Sequence, residues 1–386
     1  MLNSFYSTLA GILIPNQVRR NVLDETKLKW MNDGDLHVIL PGTGSPLADP
    51  TRAGPCAVVM AGGEYLIIDV GQRSYNRQQT MGLPIAKITG ILLTHFHSDH
   101  ICELGETLTM SWAAGGRDHQ LPVYGPPGVE QVVEGFTHAY QQDSVYREDH
   151  HGAEKGGMAR KNSTGVAITI PLPGGNHSSM ESTVVFERNG LKVIAFNVDH
   201  RPVLPAYGYR FEYNGRVAVI TGDTSKCDQL LKYTAGADVL VSEASSCHVL
   251  HHLIDTLHGI DTKSNHRTAH IVEDIIDYHI DVQDVVNIAG QCQVPVLALT
   301  HLVPPPRDSW LLKKMWLSKL IRPAKWSGKM LVGKDGDAFH LTKNSNKITT
   351  TNLFENRLLI IAKRVGFVAA LFLLFKMYRQ SQRSFL

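Results

Sequence analysis

No two cysteines in this sequence are spaced as C-x-x-C. The five that occur, Cys56, Cys102, Cys227, Cys247 and Cys292, are odd in number and widely scattered. That excludes a disulfide framework and a thiolate zinc site, and it points to a reducing, cytoplasmic compartment. Charge of one sign is equally scarce. The 38 Lys and Arg against 36 Asp and Glu leave a net charge of +2, too little for a whole-molecule field that would draw in nucleic acid. Uninterrupted apolar runs fall short of the roughly 20 residues that cross a bilayer. The N-terminal stretch Ser7-Thr-Leu-Ala-Gly-Ile-Leu-Ile14 is followed by Pro15 and preceded by no cationic stretch, so it reads as a docking helix or membrane-surface segment and not as a secretory signal. No short-period repeat is visible. What the sequence does have is histidine, nineteen of them, many in clusters.

The regular pattern starts near Asp35. Residues 36–40 read as a buried strand entering a Gly-rich turn, and 57–60 and 65–69 as strands flanking Gly62-Gly63. An apolar strand over 88–94 ends in histidines, 122–125 is short and strand-like, and 128–140 suits a helix. The polar stretch 143–165 reads as a loop joining two halves. Asn189-Gly190 and Asn214-Gly215 mark hairpins over 183–198 and 209–221, since both dipeptides favour type I′ turns. Strands over 239–242 and 295–300, a helix over 268–279, and a closing hairpin over 330–341 at Asp335-Gly336 complete the pattern. Strand-rich halves that each carry helices predict a four-layer α/β sandwich with two sheets face to face. The expected division is an N-terminal segment 1–32, a catalytic domain 33–342, and a linker with a hydrophobic, basic tail over 343–386.

The segment Thr94-His-Phe-His-Ser-Asp-His100 carries the functional argument. In a strand-to-helix loop, neighbouring imidazoles at this spacing can point to separate metal ions while the intervening carboxylate turns to the second. Neutral imidazole and carboxylate are ordinary Zn²⁺ ligands, and catalytic sites leave a position open for water. The segment resembles the metal-binding signature of the metallo-β-lactamase superfamily. Further motifs resemble its ribonuclease Z-like and arylsulfatase-like subgroup: Leu40-Pro-Gly-Thr-Gly-Ser-Pro46, Leu66-Ile-Ile-Asp-Val-Gly71, Asn197-Val-Asp-His200, Thr221-Gly-Asp223, Ser242-Glu243-Ala, His266-Arg-Thr268 and Leu299-Thr-His301.

The resemblance implies an αββα sandwich and a site for two Zn²⁺, with Mn²⁺ or Fe²⁺ as alternatives for the same ligand types. His95, His97 and His200 would hold one ion, and Asp99, His100 and His301 the other. Asp223 would bridge them. His266, steered by Glu243, would protonate the leaving group, and Asp99 would also orient the attacking water. The remaining clustered histidines (His150, His151, His177, His248, His251, His252, His258 and His270) read as exposed or outer residues.

Two departures qualify the resemblance. Ribonuclease Z-like proteins carry a long arm for transfer RNA between the third ligand motif and the bridging aspartate, whereas here only 23 positions separate His200 from Asp223. This favours hydrolysis of small phosphodiesters or aryl sulfates over transfer-RNA 3′ processing, and makes nucleic acid the less favoured partner; acyl, lactone or thioester hydrolysis and a binding protein with a degenerate site stand as further readings. The second departure is the tail, where 358–375 is hydrophobic but broken by Lys363 and Arg364. It reads as a bilayer anchor or an interfacial helix. The stretch 307–329, with seven Lys or Arg and Trp310, Trp316 and Trp326, reads as a basic helix suited to anionic lipid or to a nucleic-acid backbone, and the tail behind it favours lipid.

Overall fold

The computed structural model describes residues 26–171, 182–260 and 262–354, together with Gly11. His177, the hydrophobic tail from 355 onward and, apart from Gly11, the 7–14 stretch lie outside the described residues. Strands follow the chain as β1 (Leu36–Gly42), β2 (Cys56–Ala61), β3 (Glu64–Ile68), β4 (Gly90–Leu92), β5 (Leu121–Gly125), β6 (Gly165–Thr169), β7 (Ser182–Arg188) and β8 (Leu191–Val198). They continue as β9 (Ala206–Tyr213), β10 (Arg216–Ile220), β11 (Val239–Ser245), β12 (Val296–Val303), β13 (Lys329–Val332), β14 (Asp337–Leu341) and β15 (Ile348–Asn352). One sheet has the order β15-β14-β1-β2-β3-β4-β5-β6 and the other β13-β12-β11-β10-β9-β8-β7.

The central strands lack polar alternation because both of their faces are covered. Leu36, Val38 and Leu40 of β1 meet Tyr209, Phe211, Ala218, Val241 and Ala298 in the space between the sheets. Ile39, pointing the other way, packs with Val58, Met60, Ile67 and Ile91 beneath the helices Leu104–Ala113 and Val129–Ala139. Behind the second sheet, Val219, Leu240 and Leu297 pack on Val285 and Val286 of the helix Val282–Gln291 and on Trp316 and Trp326. This is the expected helix–sheet–sheet–helix layering. The parallel pairs β3–β4, β10–β11 and β11–β12 send several strand C-termini to one edge, where ligand sites of α/β sheets form.

Several local expectations are corrected. Residues 330–341 do not form a hairpin, because β13 pairs with β12 in the second sheet and β14 with β1 in the first. The Asp-Gly turn instead carries the chain across. The Asp335 carboxylate accepts hydrogen bonds from Thr43 N (3.1 Å), Thr43 Oγ1 (2.9 Å) and Ala53 N (2.7 Å), which docks the turn on the β1–β2 connection. The stretch 342–352, expected to be a linker, supplies β15, paired antiparallel with β14. The supposed loop 143–165 contains most of the helix Gln141–His151, braced by Asp143 and Arg147 one turn apart at 2.7 Å. Residues 245–265 lie mostly in the helices Cys247–Gly259 and Lys263–Tyr278.

The basic stretch 307–329 contains a helix of only seven residues, Trp310–Trp316. Two of its three indoles face inward, since Trp316 and Trp326 are buried and donate to the carbonyls of Pro304 and Val294 at 2.8 and 2.7 Å. They are core residues and not a headgroup belt. Among the described residues no helix is long and apolar enough to cross a membrane, and all five cysteines are free.

Removing the Asp335 carboxylate would leave the buried Thr43 and Ala53 amides unpaired and the Arg77 guanidinium, 3.1 Å away, without its counter-ion. Asp335→Ala is therefore expected to lower unfolding free energy by about 3–5 kcal/mol, and Asp335→Asn by less, because the amide oxygen still accepts. Urea unfolding of the three proteins measures both differences.

Candidate metal centre

The functional side chains arrive from the ends of five strands. The residues following β4 carry His95, His97, Asp99 and His100, with Ser98–Ile101 turning into a short helix. His200 follows β8, Asp223 follows β10, Glu243 lies in β11 and His301 in β12. The turn before Asp223 needs its glycine. Gly222 has φ +62, and a Cβ there would meet the Tyr207 carbonyl at 2.7 Å and Thr94 Cβ at 3.0 Å.

His301 is aimed by a bulge. Glu243 pairs with Thr300 and Ala244 with Leu302, so His301 is the extra residue, with φ +42. Such bulges re-aim a side chain at strand ends.

The inner atoms converge. Donor atoms of His95, His97, His200 and Asp223 lie within 4.8 Å of one another, as do those of Asp99, His100 and His301. Asp223 Oδ2 stands between the two sets, 4.0 Å from His95 Nε2, 3.9 Å from His200 Nε2, and 3.2 Å from both His100 Nε2 and His301 Nε2. Asp99 Oδ2 is 3.3 Å from His301 Nε2 and 3.5 Å from His100 Nε2.

The outer atoms fix the rings. His200 Nδ1 donates to the Tyr278 carbonyl at 3.0 Å, and His100 Nδ1 lies 2.8 Å from Asp69 Oδ2. Asp69 in turn accepts from Thr94 N and Thr94 Oγ1, each at 2.8 Å, and Thr94 Oγ1 is 3.0 Å from His95 Nδ1. Outer partners of this kind set tautomers and orient ligating imidazoles.

The electrostatics follow from burial and from Asp223. Burial holds the imidazoles of His95 and His97 below their ordinary pKa, and brings His200 down to about 4. For His100, burial opposes the charged form, but the Asp223 and Asp69 carboxylates outweigh it and raise the pKa. Burial likewise works against ionised Asp223, and the facing His100 and His301 overcome it, keeping the carboxylate well below its usual range. The centre thus offers neutral imidazoles at His95, His97 and His200 and an ionised carboxylate at Asp223, with His100 keeping between Asp223 and Asp69 a proton that a divalent cation would displace.

That donor set fits divalent cations. His200 must present a lone pair at Nε2, because its Nδ1 proton goes to a carbonyl, and this lone pair points at His97 Nδ1, 3.3 Å away. His95 Nε2 and His97 Nδ1 face each other at 2.9 Å. Asp223 Oδ1 and His100 Nε2 are buried without an aligned hydrogen-bond partner. Convergent lone pairs with few protons to share suit a metal ion.

His266 is not brought to this centre. It is exposed on the helix Lys263–Tyr278, its ring 5.8 Å from that of His258. The residue beside Glu243 is His279, which no motif had marked. Its Nδ1 is 2.7 Å from Glu243 Oε2, and its ring stacks on His301 with centroids 5.3 Å apart. Burial pushes the Glu243 carboxyl up and the His279 imidazole down, so the pair holds one proton between them. A His-x-Thr pattern misses His279 because Asp281 stands two residues on, accepting from Gln283 N at 2.8 Å as the cap of the helix Val282–Gln291. A histidine two residues before a helix cap was the available signal, and Thr268, inside a helix, cannot serve as that cap. Of the other histidines, His248 is half-buried and His150, His151, His251, His252, His258 and His270 are exposed.

Elemental analysis of the purified protein is expected to give close to two divalent ions per chain, falling below one in Asp223→Ala. Metal-stripped protein should lose stability as pH falls from about 6.5 towards about 4. The unfolded histidine takes up its proton near 6.5 while folded His200 resists until about 4, so the stabilisation is present above 6.5 and lost below. Urea midpoints across that range should show a shallower pH slope in His200→Gln.

The beta-lactamase superfamily domain model matches residues 67–302. A ribonuclease Z of Mycobacterium bovis (strain BCG / Pasteur) is 34% identical over 302 residues, covering 78% of this chain and 96% of its own. A ribonuclease Z of Mycolicibacterium gilvum is 35% identical over 281 residues, covering 71% of this chain and 88% of its own. The metallo-β-lactamase fold protein YhfI of Bacillus subtilis superposes with a TM-score of 0.51 at 18% identity, over 79% of this chain and 99% of its own, a likeness of fold alone. With the double ligand cluster at the strand ends, these matches place the chain in the metallo-β-lactamase superfamily, within the family of the proteins named ribonuclease Z.

Proposed function

We propose that the chain is a ribonuclease Z-like endonuclease that hydrolyses RNA phosphodiesters, with transfer-RNA precursors as the substrate class and two Zn²⁺ as the cofactor. The observation that carries this reading is the Asp223-centred cluster in a chain that matches 96% of the length of a relative named ribonuclease Z. The missing arm does not separate the two, because so little of that relative lies outside the match. Aryl-sulfate and small-ester hydrolysis gain no support from these relatives.

In this reading His95, His97 and His200 would hold one ion and Asp99, His100 and His301 the other, with Asp223 available to both. Bound there, the pair of ions supplies a hydroxide at neutral pH and charge stabilisation for both oxygens of the displacement. The residues of the chain do the rest. Asp69, Thr94 and the Tyr278 carbonyl keep three of the rings in register. The Asp99 carboxylate is held ionised: burial opposes this, but the His301 and His100 rings outweigh it, leaving Asp99 able to accept a proton from water. Glu243, anchored by the Thr224 amide, fixes the His279 ring through Nδ1 and leaves Nε2 to deliver a proton to the departing oxygen. Such a group contributes about 10²–10⁴-fold.

The test is cleavage of an end-labelled transfer-RNA precursor with a 3′ extension, run beside bis(p-nitrophenyl) phosphate and p-nitrophenyl sulfate. A single metal-dependent cut is expected, lost with chelator. His279→Ala should lower kcat by about 10²–10⁴-fold with its metal retained, and His266→Ala should stay within about threefold of wild type. Intact RNA alongside rapid sulfate hydrolysis would sink the reading.

A further inference from the structure

The basic stretch 307–329 has a place in the fold that its sequence does not disclose. His301 is followed three residues later by Pro304, a distance of at most roughly 10 Å, and the Pro304 carbonyl accepts from the Trp316 indole. Ser246, three residues past Glu243, donates to the Trp316 carbonyl at 2.9 Å. The helix Trp310–Trp316 is therefore bolted to the two strand ends that carry Glu243 and His301, on the rim of the metal centre.

The rest of the stretch is held as firmly, and it runs from that rim to the opposite end of β12, where Lys329 pairs with Val296 and the Trp326 indole donates to the Val294 carbonyl. Gln283 Nε2 donates to the Ile321 carbonyl at 2.8 Å while its Oε1 accepts from Ile321 N at 2.7 Å. The Arg322 guanidinium lies over the Trp326 ring, 4.5 Å from its centroid. What this frame presents outward is charge, one indole and four apolar side chains, Leu311, Leu312, Met315 and Ile321. Lys313 is paired with Asp308, but Arg307, Lys314, Lys319, Lys325 and Lys329 are exposed and make no ion pair among the described residues. Trp310 is 75% exposed beside them. A cleft of about 540 Å³ opens between this rim and the helix Val282–Gln291, lined by Lys319, Ile321, His248 and Asn287 among others.

Unpaired cations and a solvent-facing aromatic plane are the two elements of sequence-tolerant binding to a nucleic-acid strand. A lipid surface would use the exposed Leu311, Leu312, Met315 and Ile321, but the helix has only seven residues, two of the three indoles are spent inside the core, and the relatives of this chain are named for an RNA-cutting activity. We propose that this rim grips the RNA substrate beside the metal centre, with Arg307, Lys314 and Lys319 on phosphates and Trp310 stacked on a base. The rim thereby does the holding for which the hairpin β9–β10 between His200 and Asp223 has no room. The proposal rests on the ribonuclease reading of the centre and names how the substrate is held there.

The test uses the full chain, the triple variant Arg307→Ala/Lys314→Ala/Lys319→Ala and Trp310→Ala, with a 3′-extended transfer-RNA transcript as the probe. The triple variant should bind the RNA at least tenfold more weakly at 150 mM salt. Its plot of log Kd against log salt should be shallower by about 2–3, since each phosphate contact contributes about 0.7–0.9. Trp310→Ala should weaken binding about tenfold, within the range for one stacked base. For RNA cleavage KM should rise with kcat held within about twofold, and bis(p-nitrophenyl) phosphate hydrolysis should be unchanged. An unaltered Kd and salt slope would overturn the proposal. So would binding to phosphatidylserine vesicles that these substitutions abolish while RNA binding stays. Wild-type protein that binds RNA through this rim without cutting it would remove the ribonuclease reading and leave the rim standing, and protein that neither binds nor cuts RNA would remove both.

Discussion

A carboxylate with almost no access to solvent sits among four imidazoles at the junction of the two sheets, and most of the architecture answers to keeping it charged. Asp223 cannot be hydrated, so positive or polarisable groups must surround it on every side. Those groups come from the ends of β4, β8 and β12, which lie in two sheets, so the sandwich must close to within hydrogen-bond distance at that edge. The alternating apolar side chains of β1, β2, β9 and β10 bring the sheets together, and Asp69, Thr94 and the Tyr278 carbonyl then set ring orientations within the closed edge. Loss of any outer partner would leave the ligand residue present but turned.

The same closure explains why the chemistry is divided as it is. The ligand nitrogens of His95, His97 and His200 face inward and are freed of protons by burial, whereas the Glu243–His279 pair lies one step out, on the side of the second sheet, where a proton is retained. The two are close neighbours, the His279 ring lying 5.5 Å from that of His200 and 5.3 Å from that of His301. The rim that begins at residue 307 is fastened to the strands that supply Glu243 and His301, which in the proposed reading would tie substrate holding and proton delivery to one rigid unit.

How far this could be read from sequence depends on whether the information was local. His95, His97, Asp99 and His100 fall within six residues and were legible at once. His200, Asp223 and His301 were legible through the short motifs that surround them, and the layering was legible because buried strands leave long apolar runs. His279 was not, since its place is decided by a helix cap supplied by Asp281 and by Glu243, 36 positions earlier. The Asp335-Gly336 turn was misread because turn chemistry specifies a reversal of the chain but not which sheet receives the next strand; that was settled by Thr43 and Ala53, far away in sequence. The indoles of Trp316 and Trp326 looked exposed because a basic composition hides individual inward-facing positions.

The bulge at His301 has a consequence for how this protein can change over generations. A regular strand counts its faces in twos, and β12 delivers its histidine only because one residue is in excess between Thr300 and Leu302. Deleting a single codon there, even one encoding an apolar neighbour, would restore an unbroken ladder in which His301 is lost or becomes an ordinary paired residue without the φ of +42 that aims it. The connection after Val303, by contrast, is outside any ladder and free of that parity. Length variation among descendants of this sequence should therefore accumulate past Pro304 and be purged just before it.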